Sequence, residues 1–276
     1  MIRAVIAVAA VALSGPAAGE PLRFYNGRLF IDAQVNGVPT EALLDSGAEA
    51  TLIDPALAAK AKFPQGTPQV MKGSGGTAPA RIVEGVTVNA LGVELHPDAV
   101  VVLDMSDLSH RLIKRPTQAI VGRELFDAAR LKIDISRGDI GAASRDAMPQ
   151  GTKLPLTSHA GIEAIPVRAN GLEAQADFDL GNGSDILISR ALVNKLGLKI
   201  ISKKSGGGIG GALNRDVVKL ATLELAGQKF RNVVAAIDDQ PSHNDLNVGT
   251  AILKNFLITT DFNQHAVWLQ PVGRSN

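Results

Sequence analysis

Polar and apolar residues alternate along much of this chain in short runs broken by glycine, proline and asparagine. A period of two marks strands that bury one face. Arg28 to Val35 alternates, Asn36-Gly37 is a hairpin signal, and Pro39 to Leu44 runs back as the partner strand. Ala164 to Ala169, Asn170-Gly171 and Leu172 to Phe178 repeat that unit. A short helix is predicted after each hairpin. Asp54 is placed to cap the first, with Pro55 at its opening position; Ser189 caps the second, which Gly197 ends. Strand patterns continue over Val86 to Val102 and Val217 to Ile237. The elements add up to an all-β fold with only small helices.

The chain also repeats itself. A shift of 134 residues carries Val35-Asn36-Gly37 onto Ala169-Asn170-Gly171 and Asp45-Ser46-Gly47 onto Asp179-Leu180-Gly181. At 135, Thr51-Leu52-Ile53 falls on Ile186-Leu187-Ile188, and Gly73, Gly75 and Gly76 fall on Gly208, Gly210 and Gly211. At 127, Val121-Gly122 matches Val248-Gly249 and Asp134 matches Asp261. Chance similarity between apolar strands would not keep these polar and glycine landmarks in order, so the chain is a fused pair. The expected division is a lobe over 20–140, a small and polar linker over 141–153, and a second lobe over 154–276.

Leu43-Leu44-Asp45-Ser46-Gly47-Ala48 resembles the active-site loop of retropepsin-like aspartic proteases, in which two apolar strand residues lead into Asp-Ser/Thr-Gly-Ala. The glycine-rich segments, Gly73-Ser74-Gly75-Gly76 and Gly208-Ile209-Gly210-Gly211, look like that family's flaps. Ile120-Val121-Gly122, followed by a short helix and Leu131-Lys132-Ile133-Asp134, looks like the element that threads beside the catalytic loop. Pepsins carry a flap tyrosine, whereas the one tyrosine here, Tyr25, precedes the first hairpin. The retropepsin side of the clan therefore fits better.

The resemblance implies two β-barrel lobes with the active site between them. Asp45 and Asp179 would be the paired catalytic carboxylates, hydrolysing an extended polypeptide by water activation, with no metal or cofactor. Two carboxyls about 3 Å apart cannot both ionise, so one carries a proton while the other takes one from water. Each lobe supplies one Asp, and a monomer would hold both. The second loop departs from the pattern: Leu180 stands where a hydroxyl is expected, and Gly181-Asn182 is followed by one extra residue. A catalytically inactive peptide-binding protein is the alternative reading.

Other motifs take ordinary readings. Gly206 to Gly211 formally satisfies a dinucleotide-binding spacing, but Ala212 to Leu225 reads as strand where that motif needs a helix. His96, His110, His159, His243 and His265 lack zinc-ligand spacing and are expected on the surface or in loops. Arg137-Gly138-Asp139 is expected to be a hairpin turn, Asp134 and Asp261 exposed strand carboxylates, and Trp268 a packing residue. With no cysteine, a thiol nucleophile is excluded.

The N-terminus changes the expected location. Arg3, an apolar run from Ala4 to Leu13 and the small residues Ala17-Ala18-Gly19 read as a signal peptide over 1–19. Ten apolar residues are too few for a membrane span. Export to a bacterial periplasm or beyond is expected, with no membrane contact after cleavage. Removing the segment takes one Arg from 28 basic residues, leaving 27 against 27 acidic, so charge gives no case for nucleic acid.

Overall fold

The computed structural model describes residues 19–159, 161–239 and 244–273. The expected signal peptide lies almost wholly outside them. No helix among the described residues is long and apolar enough to cross a membrane.

Each half is built on the predicted hairpin. Arg28–Val35 pairs antiparallel with Val38–Leu44, closing at Val35 opposite Val38. Asn36 and Gly37 take φ of 45° and 77°, the double left-handed turn that asparagine and glycine tolerate. Ile162–Ala169 and Leu172–Phe178 repeat this with Asn170 and Gly171 at 48° and 84°, the first strand starting two residues earlier than the alternation suggested. Helices Pro55–Lys60 and Arg190–Lys195 are capped by Asp54 and Ser189, whose side chains accept from Ala56 N and Leu192 N. Tyr25 belongs to a short strand, Arg23–Tyr25, paired on the first hairpin.

The strands form three sheets, of 10, 8 and 6 strands. The first two belong to one half each. The third is shared: Glu20–Pro21, Asp139–Ala142 and Leu131–Asp134 come from the first half, and Phe256–Asp261, Ala266–Pro271 and Thr152–Pro155 from the second. Its seam pairs Ile133 with Ile258. Strand structure thus enters both ends of the expected linker. One apolar core, including Leu44, Phe126, Phe178, Phe256 and Ile258, runs through both halves.

The expectation of exposed carboxylates at Asp134 and Asp261 is wrong. Asp261 is 0% exposed and bonded by Arg130 at 3.0 Å and Arg145 at 3.2 Å. Burial pushes its carboxyl pKa up, but the two guanidiniums outweigh that and hold it below the ordinary value. Asp134 is also buried and accepts from Ser136 Oγ and Arg137 N, fixing the 135–138 turn. Trp268 is buried with the Arg130 guanidinium over its ring. His96, His110, His159 and His265 are exposed; His243 lies outside the described residues.

Candidate active site

Buried strand ends deliver both aspartates. Ala42, Leu43 and Leu44 are buried, and the strand pairs in parallel with Ala119–Val121, Leu44 opposite Val121. Asp45 N donates to Val121 O at 3.0 Å, so the chain leaves the sheet at Asp45. The second half repeats this through Phe178 opposite Val248 and Asp179 N donating to Val248 O at 3.1 Å. Arg123 N to Ala48 O and Thr250 N to Asn182 O, both 3.0 Å, tie each loop to the helix start that follows the Val-Gly pair.

The loops face one another. A side chain on Gly181 would begin 2.1 Å from Asp45 Cγ, and one on Gly47 would begin 2.9 Å from Asp179 Cγ. Each glycine therefore leaves room for the opposite carboxylate. Ser46 joins the halves: its Oγ donates to Phe178 O at 2.8 Å and accepts from Leu180 N at 2.9 Å. A single hydroxyl thus makes two bonds across the lobes. Leu180, where a second hydroxyl was expected, is 0% exposed and packs into the core.

The two carboxylates have unequal surroundings. Asp45 Oδ1 accepts from Gly47 N at 2.8 Å. Asp179 Oδ1 accepts from Gly181 N and Asn182 N, both at 2.9 Å, and its Oδ2 accepts from Asn247 Nδ2 at 2.7 Å. Asn182 Nδ2 in turn donates to Asn247 Oδ1 at 2.7 Å and holds that amide in place. Burial, and then the negative charge and hydrogen bond of Asp179, push the Asp45 carboxyl up to about 8. A carboxyl held up in this way keeps its proton into neutral pH.

Asn247 was not among the expected site residues. Its counterpart under the 127-residue shift is Ile120, so the signal was a polar residue replacing an apolar one in a repeated element.

Both glycine-rich segments are hairpin tips, formed by Thr67–Gly73 with Gly76–Val83 and by Ser202–Gly208 with Gly211–Leu225. The tips meet: Gly75 N donates to Ile209 O at 2.9 Å, and a side chain on Gly75 would begin 2.2 Å from Gly211 O. The strand Gly211–Leu225 follows Gly210, as the pattern from Ala212 to Leu225 predicted. The tips are also clasped by arginines. Arg111 Nη1 and Nη2 donate to Gly206 O and Gly208 O at 3.2 and 3.0 Å, and Arg215 Nη2 donates to Ser74 O at 3.4 Å.

Beneath them lies a cavity of about 260 Å³, lined by Thr77, Pro79, Leu103, Leu108 and Ile209 among others. A larger one, about 660 Å³, opens on the second half beside Phe230 and Ile252; neither Asp45 nor Asp179 lines either cavity. The first is bounded by residues of both flap hairpins, Thr77 to Pro79 and Gly208 to Gly211.

The repeat and the paired loops coincide with a family match found twice. A family model described as aspartyl protease matches residues 31–125 and 165–253. Among curated proteins, none matches the chain.

Proposed function

Because the chain belongs to the aspartyl protease family, we propose that it is an endopeptidase in which Asp45 and Asp179 activate a water molecule against a peptide carbonyl. The observation that carries this reading is the unequal pair. Asp45, protonated up to about pH 8, can donate to the carbonyl oxygen. Asp179, with three donors on its carboxylate, is the place for the negative charge and takes the proton from water. The proton removed from water and the proton given to the carbonyl leave the pair with one proton, the exchange being reversed when the amine departs.

The substrate would lie extended between the flap tips and the dyad, adding its main chain to the flap strands as a further strand. Closure of both flaps would exclude water and fix the scissile bond. The Leu180 departure does not weaken the reading, since Ser46 already bonds both Phe178 O and Leu180 N. The N-terminal segment supports export before the protein acts, in a periplasm or outside the cell, without a membrane or nucleic-acid partner.

Peptide-library digestion tests this directly. Asp45→Asn and Asp179→Asn should each lower turnover by at least about 10³-fold while the fold is retained by circular dichroism. A statine-type inhibitor, whose hydroxyl stands in for the attacking water, should block the native protein. Near-native turnover in either variant would rule the assignment out.

A further inference from the structure

The two halves differ where they flank the dyad. In each, the residue after the Val-Gly pair reaches across to the glycine that precedes the other half's first hairpin strand. Arg123 Nη1 donates to Gly161 O at 2.6 Å, and Thr250 Oγ1 donates to Gly27 O. Gly27 and Gly161 are equivalent under the 134-residue shift, and so are the residues that follow them, Arg28 and Ile162. The fused pair thus carries a guanidinium on one flank of the site and an aliphatic side chain on the other, both partly buried.

The neighbours differ as well. Beside Gly161 lies the Glu49 side chain, its Cγ 2.9 Å from where a Gly161 side chain would begin. Nearest to where a Gly27 side chain would begin is the main chain of Gly183, which brings no carboxylate, and Arg28 Cγ packs against that glycine. Arg28 Nη1 donates to two carbonyls, Asn26 O at 3.2 Å and Leu112 O at 3.3 Å. Among the described residues, no Asp or Glu forms an ion pair with it. Burial lowers the guanidinium's pKa, and the charges it feels in return are those of Asp45 and Asp179.

We propose that Arg28 is a specificity-determining residue that binds a carboxylate of the substrate, an Asp or Glu side chain on one side of the scissile bond only. The inference rests on the peptidase reading above. A partly desolvated guanidinium is unfavourable without an anionic partner, and its planar fork can hold a carboxylate through two parallel bonds. The dyad's own negative charge repels an acidic side chain placed nearby. Arg28 offsets that repulsion on its flank, while Ile162 offers no such compensation on the other. The substrate class is therefore an extended peptide, acidic on one side of the cleaved bond and apolar at the mirror position.

The test separates recognition from catalysis by using the mature chain with Asp45→Asn, which holds peptides without hydrolysing them. A peptide library, with free and with amidated C-termini, is captured and sequenced. The expected result is enrichment of Asp and Glu over Asn and Gln at one position, on the order of tenfold or more. It should weaken when Arg28→Lys is added and vanish with Arg28→Gln. Arg28-dependent enrichment that needs a free C-terminus would assign the same site to a terminal carboxylate.

No acidic enrichment, or enrichment unchanged by Arg28→Gln, overturns the proposal. If Arg28→Gln does not fold, Arg28→Lys decides, and an undiminished preference in it counts against Arg28. Hydrolysis of the enriched peptides by the native protein is read separately. Acidic capture without cleavage would sink the peptidase reading and leave the role of Arg28 standing.

Discussion

Asn247 donates to the Asp179 carboxylate from a position where the other half carries Ile120, which is buried in an apolar cluster. Together with the second main-chain donor, Asn182 N, that difference gives the dyad a polarity that a symmetric pair would lack. The carboxylate that accepts from the amide is favoured as the anion, and burial beside that charge favours its partner as the acid. The raised Asp45 carboxyl fixes the alkaline limit. A group protonated up to about 8 keeps the one-proton state through neutral pH, so kcat/KM should fall only above about pH 8, as Asp45 loses its proton. Asn247→Leu removes a donor to the anion and makes the singly charged pair harder to form. The acidic limb of the kcat/KM profile should then move up by about one pH unit, with the alkaline limb nearly in place. A full pH profile of both proteins checks this, and an unmoved acidic limb would show that Asn247 only packs. The landmarks that survived in both halves led to Asp45 and Asp179. Asn247 escaped because it lies where the halves disagree, and a comparison built on matches passes over such a residue.

At the scale of elements, hairpins, caps and flaps were legible because each is specified by neighbours in sequence. Asn36-Gly37 sets a turn whatever lies elsewhere, and Asp54 and Ser189 cap the helices that begin beside them. The clasp on the flaps was not legible, since it joins Arg111, on the turn of π-helix Ser109–Ile113, to carbonyls almost a hundred residues away. Asp107 Oδ2 accepts from Arg111 Nη2 at 2.8 Å one turn earlier and steadies the guanidinium for that reach. The glycine-rich tip of the second flap has few side chains of its own to hold it down. Two bonds from a charged donor, each worth about 1.5–3 kcal/mol when shielded from water, are therefore a large share of its anchorage. Arg111→Ala should raise amide exchange over 202–213 while leaving the strand Val38–Leu44 protected, and should lower kcat/KM by roughly tenfold through less frequent closure. Hydrogen exchange followed by peptide mass analysis reads the first effect. Unchanged protection of the flap would mean that the contact between the two tips suffices to hold it.

At the scale of the whole molecule, the shared six-stranded sheet decides how the two aspartates find each other. Its strand order was hidden in the sequence, because apolar alternation identifies strands without saying which distant strand each will meet. Burial of Asp261 was misread for the same reason: its partners, Arg130 in the first half and Arg145 in the linker, are more than a hundred residues away. Three strands come from each half, and the seam between Leu131–Asp134 and Phe256–Asp261 is reinforced by Phe126 stacked on Phe262 at 5.1 Å. Cutting the chain between 143 and 151 would break no ladder in this sheet, since strands end at Ala142 and restart at Thr152. Each separated half would nevertheless expose a seam strand bearing a residue buried to 0%, Ile133 or Ile258, as a bare sheet edge. The halves should therefore be inactive and prone to aggregate alone. When co-expressed they should regain activity that rises with concentration, because pairing has become bimolecular. The uncut chain already holds both carboxylates across Ser46, so its specific activity should stay constant on dilution and its gel-filtration mass should be that of one chain. A dilution series on cut and uncut protein makes the comparison. A steep loss of activity in the uncut chain would mean that the working pair forms between molecules, a result that pairing of Asp45 with Asp179 inside one chain could not accommodate.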